Sequence, residues 1–418
     1  MTNVTQALAK KSSNQKNSPP CPSGVTRRRF LAKLANYSGA GLMLSSGAAR
    51  AAELASPKVV NKGDAVTPTN QQLPSVKVSQ CLLPTVETRL FASSNVSSDK
   101  ARNQRGLLRL ACAGFDIKNP DIVNRQYLRF AGTDRQRASD LQNIATGGVT
   151  APKLLLGVGG GYGAMRLLPL VDWQTLGQVL KERGTILAGF SDVTAIQCAL
   201  LAKGGMTSLA APMLNTEFGK VAPDVNSTRQ FVEALTIPNL TIDVQSPELT
   251  AKNLPLILSK NPNQTLQGTI WGGNLSVVSA LAGSEFLPKI DGGIVFLEEV
   301  GETPYRVERM LYDLYLAGAF KNQQAIVFGA LSGFSKDSYD ARYDMAVVVE
   351  QLYQLTGIPI YSGFGFGHVA NKQSFPLGAT CQIKPLALAD KLGFCLSFRD
   401  YPTINPSAIS LEGLFLSP

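Results

Sequence analysis

The chain has 418 residues, of which 44% are hydrophobic and 17% charged, and its formal charge is +10. This length predicts two globular domains, and the hydrophobic content suffices for a buried core. The basic excess is local, since residues 1–52 carry eight basic and no acidic residues and leave only +2 for the remainder. A nearly neutral body has no field to hold a phosphate backbone, so we expect no nucleic-acid partner.

Residues 1–52 have the pattern of a twin-arginine-type signal peptide. Three arginines at 27–29 precede Phe-Leu, a weakly apolar run covers 34–48, and Ala49-Arg50-Ala51 offers a small-x-small cleavage pattern. The apolar run is too short for a membrane span, so we expect an exported, periplasmic protein without a stable membrane anchor. The alternative is a disordered basic tail.

After a polar, proline-containing linker at 53–75, strands and helices alternate through a first domain at 76–245. The candidate strands are 81–84, 154–158 and 185–190, and the candidate helices are 102–113, 135–144, 172–181 and 194–203. Such alternation predicts an α/β fold with a parallel sheet covered on both faces.

Prolines break the segment 246–265, which we interpret as the crossover to a second domain at 266–418. Its candidate strands are 266–271, 293–297, 325–331 and 380–384, and its candidate helices are 275–282, 304–316 and 343–355.

The six cysteines have neither the spacing of a zinc site nor that of a disulfide scaffold; they are Cys21, Cys81, Cys112, Cys198, Cys381 and Cys395. Loss of the leader would leave five, an odd number. We therefore expect no metal site and interpret the cysteines as buried packing residues.

Residues 189–194, Gly-Phe-Ser-Asp-Val-Thr, lie between a predicted strand and a predicted helix. A tight strand-to-helix turn exposes Ser191 as a nucleophile and leaves the amide of Asp192 free to stabilise an oxyanion. The alternative is a helix-capping serine, and Val193 replaces the second glycine of the usual hydrolase elbow.

A glycine-rich loop at 157–163, Gly-Val-Gly-Gly-Gly-Tyr-Gly, follows another predicted strand. The dinucleotide fingerprint is out of register because Tyr162 takes the place of its last glycine, and no Gly-Lys-Ser/Thr follows. The sequence therefore predicts no nucleotide cofactor. The loop either lets backbone amides approach an oxyanion or is a structural turn.

His368 is the only histidine, so a histidine-dependent mechanism has one candidate base. It lies in a glycine-rich loop at 363–371, although a structural histidine is the alternative. Three carboxylates, Glu298, Glu299 and Glu302, follow a predicted strand. One of them is suited to orient His368 as a triad acid, unless they only favour the start of the next helix.

Together these segments resemble the LD-carboxypeptidase family of serine peptidases, which includes microcin-immunity relatives. The resemblance extends from residue 76 to residue 383, and the order and number of its motifs carry it. The matching stretches are 131–134 (Ala-Gly-Thr-Asp), 137–141 (Arg-Ala-Ser-Asp-Leu), 160–164 (Gly-Gly-Tyr-Gly-Ala), 189–194, 271–275 (Trp-Gly-Gly-Asn-Leu), 297–310 with Leu-Glu-Glu and Tyr-Arg-Val-Glu-Arg-Met, 367–371 (Gly-His-Val-Ala-Asn) and 376–379 (Pro-Leu-Gly-Ala).

The resemblance implies a flavodoxin-like N-terminal domain, a smaller, mainly β C-terminal domain and an active site at their junction. Many members are dimers, so a homodimer is expected, and no metal or cofactor is used. The implied substrate is a murein tetrapeptide, cleaved between the L-centre of a diamino acid and the terminal D-alanine.

The resemblance also implies residue roles. Ser191 corresponds to the nucleophile, His368 to the base and Glu298 to the acid, with Glu299 as the fallback. The amides of Asp192 and of Gly161, or its neighbour Gly160, correspond to the oxyanion hole.

A carboxypeptidase must also bind a free carboxylate, for which an arginine fork is suited. Arg306, Arg309 and Arg166 are the candidates, with solvated or structural arginines as the alternative. An export signal is unusual for a family that commonly works in the cytoplasm, and 210–213 (Ala-Ala-Pro-Met) replaces the usual Gly-Pro step. The rival functions are hydrolysis of a peptide-like antibiotic and catalytically inactive binding of murein peptides.

Overall fold

Two β-sheets with helices around them make up the described part of this computed structural model, which comprises residues 81–82, 85–245, 254–388 and 391–416. The strands are β1 Val86–Phe91, β2 Phe115–Ile117, β3 Leu154–Gly157, β4 Ile186–Gly189, β5 Ser208–Ala210, β6 Leu240–Val244, β7 Ile257–Leu258, β8 Leu266–Asn274, β9 Ile294–Val300, β10 Ala325–Ser332, β11 Ile360–Tyr361, β12 Phe375–Leu377, β13 Thr380–Leu388 and β14 Lys391–Arg399. The α-helices are α1 Lys100–Cys112, α2 Asp134–Ala145, α3 Trp173–Arg183, α4 Thr194–Gly204, α5 Val225–Thr236, α6 Leu275–Ala280, α7 Pro304–Leu316 and α8 Met345–Thr356.

The first sheet has the strand order β12-β5-β4-β3-β1-β2, and its strands β1 to β5 are parallel. β3 and β4 are buried along their whole length, as expected of parallel strands covered on both faces. The order 2-1-3-4-5 is that of flavodoxin-like folds, in which ligands bind outside the carboxyl ends of the strands.

The second sheet has the order β6-β14-β13-β8-β9-β10-β11-β7. Strands β8 to β11 are parallel, whereas β7 and the β13, β14 and β6 side pair antiparallel. The register of β8 and β9 sets Asn274 beside Glu298, so two polar side chains meet at the carboxyl ends of neighbouring strands.

The two sheets exchange strands across the middle of the chain. β6, from the first half of the sequence, pairs with β14 in the second sheet, and β12, from the second half, pairs with β5 in the first. The segment between β11 and β12 therefore runs from the second sheet to the first, and it contains His368. Phe296 of β9 and Phe375 of β12 pack edge-to-face with ring centroids 4.8 Å apart, and Phe366 of the crossing segment packs against both rings.

The predicted α/β class, with a flavodoxin-like sheet and a second sheet, is confirmed. Each predicted helix recurs within a few residues, but the strand expected at 81–84 is wrong, because β1 begins at Val86 and Cys81 and Leu82 lie outside any strand. The predicted signal peptide and linker, and residues 246–253 of the crossover, lie outside the described residues. The domain boundaries stay predictions. In the described ranges no helix is both long and apolar enough to cross a membrane.

Cys81 and Cys112 form a disulfide that ties the start of the described chain to the last residue of α1. The interpretation of the cysteines as packing residues is wrong for this pair and confirmed for Cys198, Cys381 and Cys395, which are buried and free. Cys21 lies outside the described residues. A 31-residue separation gave no signal because pairing depends on where α1 ends in space.

We expect the disulfide to stabilise the fold, because it closes a loop of 31 residues in the unfolded chain. Loop closure of this size contributes about 3–4 kcal/mol in the chain-entropy model. The urea midpoint of unfolding of the wild type should fall to a lower urea concentration when a reductant is added. The midpoint of the Cys81→Ser/Cys112→Ser double variant should not change on addition of the reductant. Cys198→Ser is the control and should keep the wild-type response; a wild type insensitive to reductant would contradict the prediction.

Candidate active site

Ser191 lies immediately beyond the carboxyl end of β4, in a strained turn that projects its side chain. Its φ of +64° is in the left-handed region, which costs a non-glycine residue about 1–3 kcal/mol and persists only where the surroundings enforce it. Gly189 permits the turn, since a Cβ there would lie 2.8 Å from a methyl group of Val193. Asp192 and Val193 are buried, whereas Ser191 is half-buried and accessible.

A continuous hydrogen-bonded chain joins Ser191, His368 and Glu298. His368 Nε2 is 3.0 Å from Ser191 Oγ, and His368 Nδ1 is 3.0 Å from Glu298 Oε2. With the imidazole neutral, an Nδ1–H that donates to Glu298 leaves the Nε2 lone pair to accept from the serine hydroxyl. The predicted base is therefore within hydrogen-bonding distance of both the predicted nucleophile and the predicted acid.

The three predicted carboxylates separate in the structure. Glu298 is 1% exposed and contacts His368, whereas Glu299 accepts from the backbone amides of Ser276 (2.7 Å) and Val300 (2.9 Å). Glu302 forms an ion pair with Arg306 on α7. Sequence spacing could not show which carboxylate contacts His368, because the direction of each side chain depends on the strand pairing around β9.

Asn274 completes the surroundings of the buried carboxylate. Its side-chain Nδ2 donates to Glu298 Oε1 (3.1 Å) and to Glu299 Oε1 (3.3 Å). Its backbone N–H donates to Thr194 Oγ1 (3.1 Å) at the start of α4. A buried carboxylate needs such donors to offset its lost hydration. We did not predict a role for Asn274; the available signal was its place after a strand and before a helix.

Close backbone approach on both sides of the site requires glycine. A Cβ on Gly367, whose φ is +135°, would lie 2.8 Å from Glu298 Oε2. A Cβ on Gly160 would lie 3.0 Å from Ser191 Oγ. The glycine-rich loop is therefore packed directly against the nucleophile.

Backbone amides near Ser191 are suited to hold an oxyanion. Asp192 is in the first turn of a 3₁₀-helix, Ser191–Val193, where backbone N–H groups lack intrahelical partners. Within the described chain, the amides of Gly160 and Gly161 have no hydrogen-bond acceptor. The carboxylate of Asp192 accepts from Ser94 Oγ (2.6 Å) and from the amide of Ala164 (2.8 Å), so it fixes the elbow relative to the glycine-rich loop.

The loop that carries His368 is anchored to the first half of the chain. The imidazole packs against the ring of Phe190, with centroids 5.3 Å apart. Ser227, in α5, donates to the carbonyl of Ala370 (2.9 Å) and accepts from the amide of Lys372 (2.9 Å). The buried ammonium of Lys372 donates to the carbonyl of Val369 (2.5 Å), which fixes the residue next to the imidazole.

Two opposed effects set the protonation of His368. Burial alone lowers its pKa, but the hydrogen bond and charge of Glu298, with a smaller contribution from Glu299, outweigh burial and raise the pKa above its ordinary value. The nearby ammonium of Lys372 acts in the lowering direction. The imidazole is thus tuned as an acceptor that holds a proton well once it has received one.

The three arginines predicted to bind a substrate carboxylate either pair with a carboxylate of the protein or lie exposed. Arg166 binds Asp134 with Nε (3.0 Å) and Nη2 (2.6 Å), and Arg306 pairs with Glu302. Arg309 is exposed on α7. Their role in carboxylate binding stays a prediction. No group of three or more His, Cys, Asp or Glu side chains in the described ranges is arranged to hold a metal ion.

Comparisons with known proteins place these features in a family. The model for the LD-carboxypeptidase N-terminal domain matches residues 89–211, and the model for the LD-carboxypeptidase C-terminal domain matches residues 267–383. Among solved structures, the chain is similar to the muramoyltetrapeptide carboxypeptidase from Oxalobacter formigenes, with 31% identity and a TM-score of 0.64 over 76% of this chain and 100% of that one.

Two curated relatives extend the comparison. The chain is 25% identical over 282 residues to the probable murein peptide carboxypeptidase of Bacillus subtilis, which covers 67% of this chain and 83% of the relative. It is 27% identical over 315 residues to the microcin C7 self-immunity protein MccF of Escherichia coli, which covers 70% of this chain and 89% of the relative.

Because His368 is the only histidine, its titration can be followed directly by NMR of the histidine-labelled, untagged protein. We expect a pKa above the ordinary value of about 6.5. Glu298→Gln should lower the pKa by removing the hydrogen-bonded charge, and Lys372→Met should raise it by removing a positive charge. Glu302→Gln is the control and should leave the pKa of His368 unchanged. An unchanged pKa of His368 in the Glu298→Gln variant would contradict the contact between His368 and Glu298.

Proposed function

Because the chain belongs to the LD-carboxypeptidase family of peptidases, it is a hydrolase, and we propose that it is a serine-type LD-carboxypeptidase acting on murein peptides. The observation that carries this proposal is the hydrogen-bonded order Ser191–His368–Glu298. A hydroxyl, an imidazole and a buried carboxylate in this order make up a nucleophile with its base and the group that orients the base.

In the proposed acylation, His368 Nε2 takes the proton of Ser191 while Oγ attacks the carbonyl carbon of the scissile amide. The negative oxygen is held by the amides of Asp192 and Gly161, or Gly160 in its place. Glu298 stays ionised and stabilises the imidazolium. The tetrahedral intermediate collapses when His368 donates its proton to the departing amine, which leaves an ester on Ser191.

Deacylation repeats these steps with water. His368 takes a proton from the water, the resulting hydroxide attacks the ester carbonyl, and the proton passes to Ser191 Oγ as the acyl group leaves. The half-exposed position of Ser191 supports this step, since water can reach the ester.

The proposed substrate is a murein tetrapeptide, from which the enzyme removes the terminal D-alanine. Support comes from the similarity to a muramoyltetrapeptide carboxypeptidase and to a probable murein peptide carboxypeptidase. The similarity to a microcin C7 self-immunity protein supports a second candidate, a hydrolase of a peptide-like antibiotic. A homodimer, which the family resemblance implies, stays a prediction.

The purified protein should release D-alanine from murein tetrapeptide, and Ser191→Ala should lower the rate on the order of 10⁴-fold or more, because the nucleophile is lost. Mass spectrometry of the products measures both, and an exposed serine variant, Ser407→Ala, is the control. A serine-directed phosphonate probe should label the wild type at Ser191 only.

Other outcomes select the rival functions. Intact tetrapeptide together with turnover of a peptide-like antibiotic would favour the immunity-type hydrolase. Failure of the probe to label Ser191, with peptide binding retained, would favour an inactive murein-peptide-binding protein.

We propose that the protein works in the periplasm after export by the twin-arginine route. The basic leader pattern at 1–52 supports this location. The Cys81–Cys112 disulfide supports it independently, since such bonds persist in oxidising compartments. There the substrate would be murein itself or its periplasmic fragments.

Replacement of all three arginines at 27–29 by lysine should retain the protein in the cytoplasm, because the charge is kept while the arginine pair is lost. Cell fractionation and immunoblotting measure the distribution. Lys10→Arg/Lys11→Arg, an equally conservative change outside the motif, should be exported normally. Normal export of the lysine variant would rule out the twin-arginine route.

A further inference from the structure

The arginines close to the nucleophile differ in how many of their donors remain free. Arg137 is buried, and it donates to the carbonyls of Ser93 and Gly163 and to Asp134. Arg166 is bound through two nitrogens to the same carboxylate of Asp134. Neither guanidinium can present an unoccupied fork without first giving up these partners.

Arg129 is different, because it is exposed and has no carboxylate partner within the described chain. Among the described residues, only its Nε has a hydrogen-bond acceptor, Asn95 Oδ1 at 3.3 Å. Its guanidinium lies 5.6 Å from the centroid of the Tyr162 ring, which restrains the side chain without using its terminal donors. With respect to the described residues, both terminal nitrogens of Arg129 therefore remain free to bind a planar anion as a fork.

Two contacts link Arg129 to the nucleophile. Asn95 accepts from Arg129 through its side-chain Oδ1, which also accepts from the backbone amide of Tyr162 (3.3 Å). The backbone N–H of Asn95 donates to the carbonyl of Gly160 (3.3 Å). Gly160 in turn packs directly against Ser191. Arg129 is thus held at the rim of the glycine-rich loop that packs against the nucleophile.

The charges of this region favour an anion. Asp134 is the shared partner of two guanidiniums, which leaves one positive charge uncompensated, and Arg129 above the Tyr162 ring adds a second. Burial raises the pKa of Asp192, and the hydrogen bonds of Ser94 and Ala164 and the charges of Arg137 and Arg129 act against that rise. The charge of Arg129 is therefore felt at the residue next to Ser191.

We infer that Arg129 binds the free terminal carboxylate of the substrate and so makes the enzyme a carboxypeptidase, an inference that rests on the proposed function. In a substrate that ends in D-alanine, one carbon separates the scissile nitrogen from the carboxylate. The residue that binds the carboxylate must therefore lie close to the nucleophile, and Arg129 is held at the rim of the glycine-rich loop that packs against Ser191. Arg306 and Arg309, on α7, have no contact of this kind in the described part of the chain.

The test compares murein tetrapeptide with the same peptide ending in D-alaninamide, which has no terminal charge. For wild type and variants, kcat/KM is measured on both, and their ratio gives the preference for the free acid. We expect the wild type to prefer the acid by roughly 10-fold to 100-fold, the range for a hydrogen bond to a charged group. Arg129→Gln should bring the ratio close to one by slowing turnover of the acid alone.

Matched variants separate binding from structure. Arg129→Lys keeps the charge and should retain part of the preference, while Arg135→Gln, an exposed arginine on α2, should keep all of it. A merely structural role for Arg129 would slow both substrates equally and leave the ratio unchanged, which would overturn the inference. Loss of the preference in Arg166→Gln but not in Arg129→Gln would overturn it in favour of Arg166.

Failure of the proposed function gives a different result. If the wild type turns over neither the acid nor the amide, the carboxypeptidase proposal falls, and this inference falls with it. If both are turned over with no preference for the acid, the hydrolase survives and only the role of Arg129 is lost.

Discussion

The site depends on one chain of hydrogen bonds that spans two sheets. Ser191 follows β4 of the first sheet, Glu298 lies near the end of β9 in the second, and His368 sits in the segment that crosses between them. Neither sheet contains the whole chain of groups. The two 3.0 Å contacts of the imidazole therefore exist only while both sheets keep their relative position, which the exchanged strands β6 and β12 help to fix.

Several unfavourable features around this chain are offset by their neighbours. Burial of the next two residues, Asp192 and Val193, holds the backbone of Ser191 in its left-handed conformation. The buried carboxylate of Glu298 receives donors from His368 and Asn274. Such features cluster at functional sites because the surrounding fold, rather than local preference, enforces them. The strain in the elbow and the buried charge are thus stable only in the assembled protein.

Charge is distributed unequally around the nucleophile. Glu298 and Glu299 lie behind the imidazole, and the arginines that surround Asp134 and Tyr162 lie beside the glycine-rich loop. The negative side stabilises an imidazolium, whereas the positive side suits an anionic substrate group. This polarity favours transfer of the Ser191 proton to His368, on the side of Glu298. It also favours binding of a carboxylate near Arg129.

The sequence by itself determined the α/β class, the serine in its strand-to-helix turn and the one available histidine, and the family predicted from the order of the motifs is confirmed. These features are local, because periodicity and turn chemistry are written in neighbouring residues. The short strands β2, β5, β7, β11 and β12 were missed, since two or three residues show no period. The longer strands β1, β6 and β14 were missed as well.

Only the tertiary structure decided which carboxylate faces His368, because the direction of Glu298, Glu299 and Glu302 depends on the pairing of β8, β9 and β10. The same holds for the pairing of Cys81 with Cys112 and for Asn274 beside Glu298. It holds again for the free donors of Arg129, since a charge is known to be unpaired only when its neighbours in space are known. Each depends on contacts between residues far apart in the chain, and no local pattern records them.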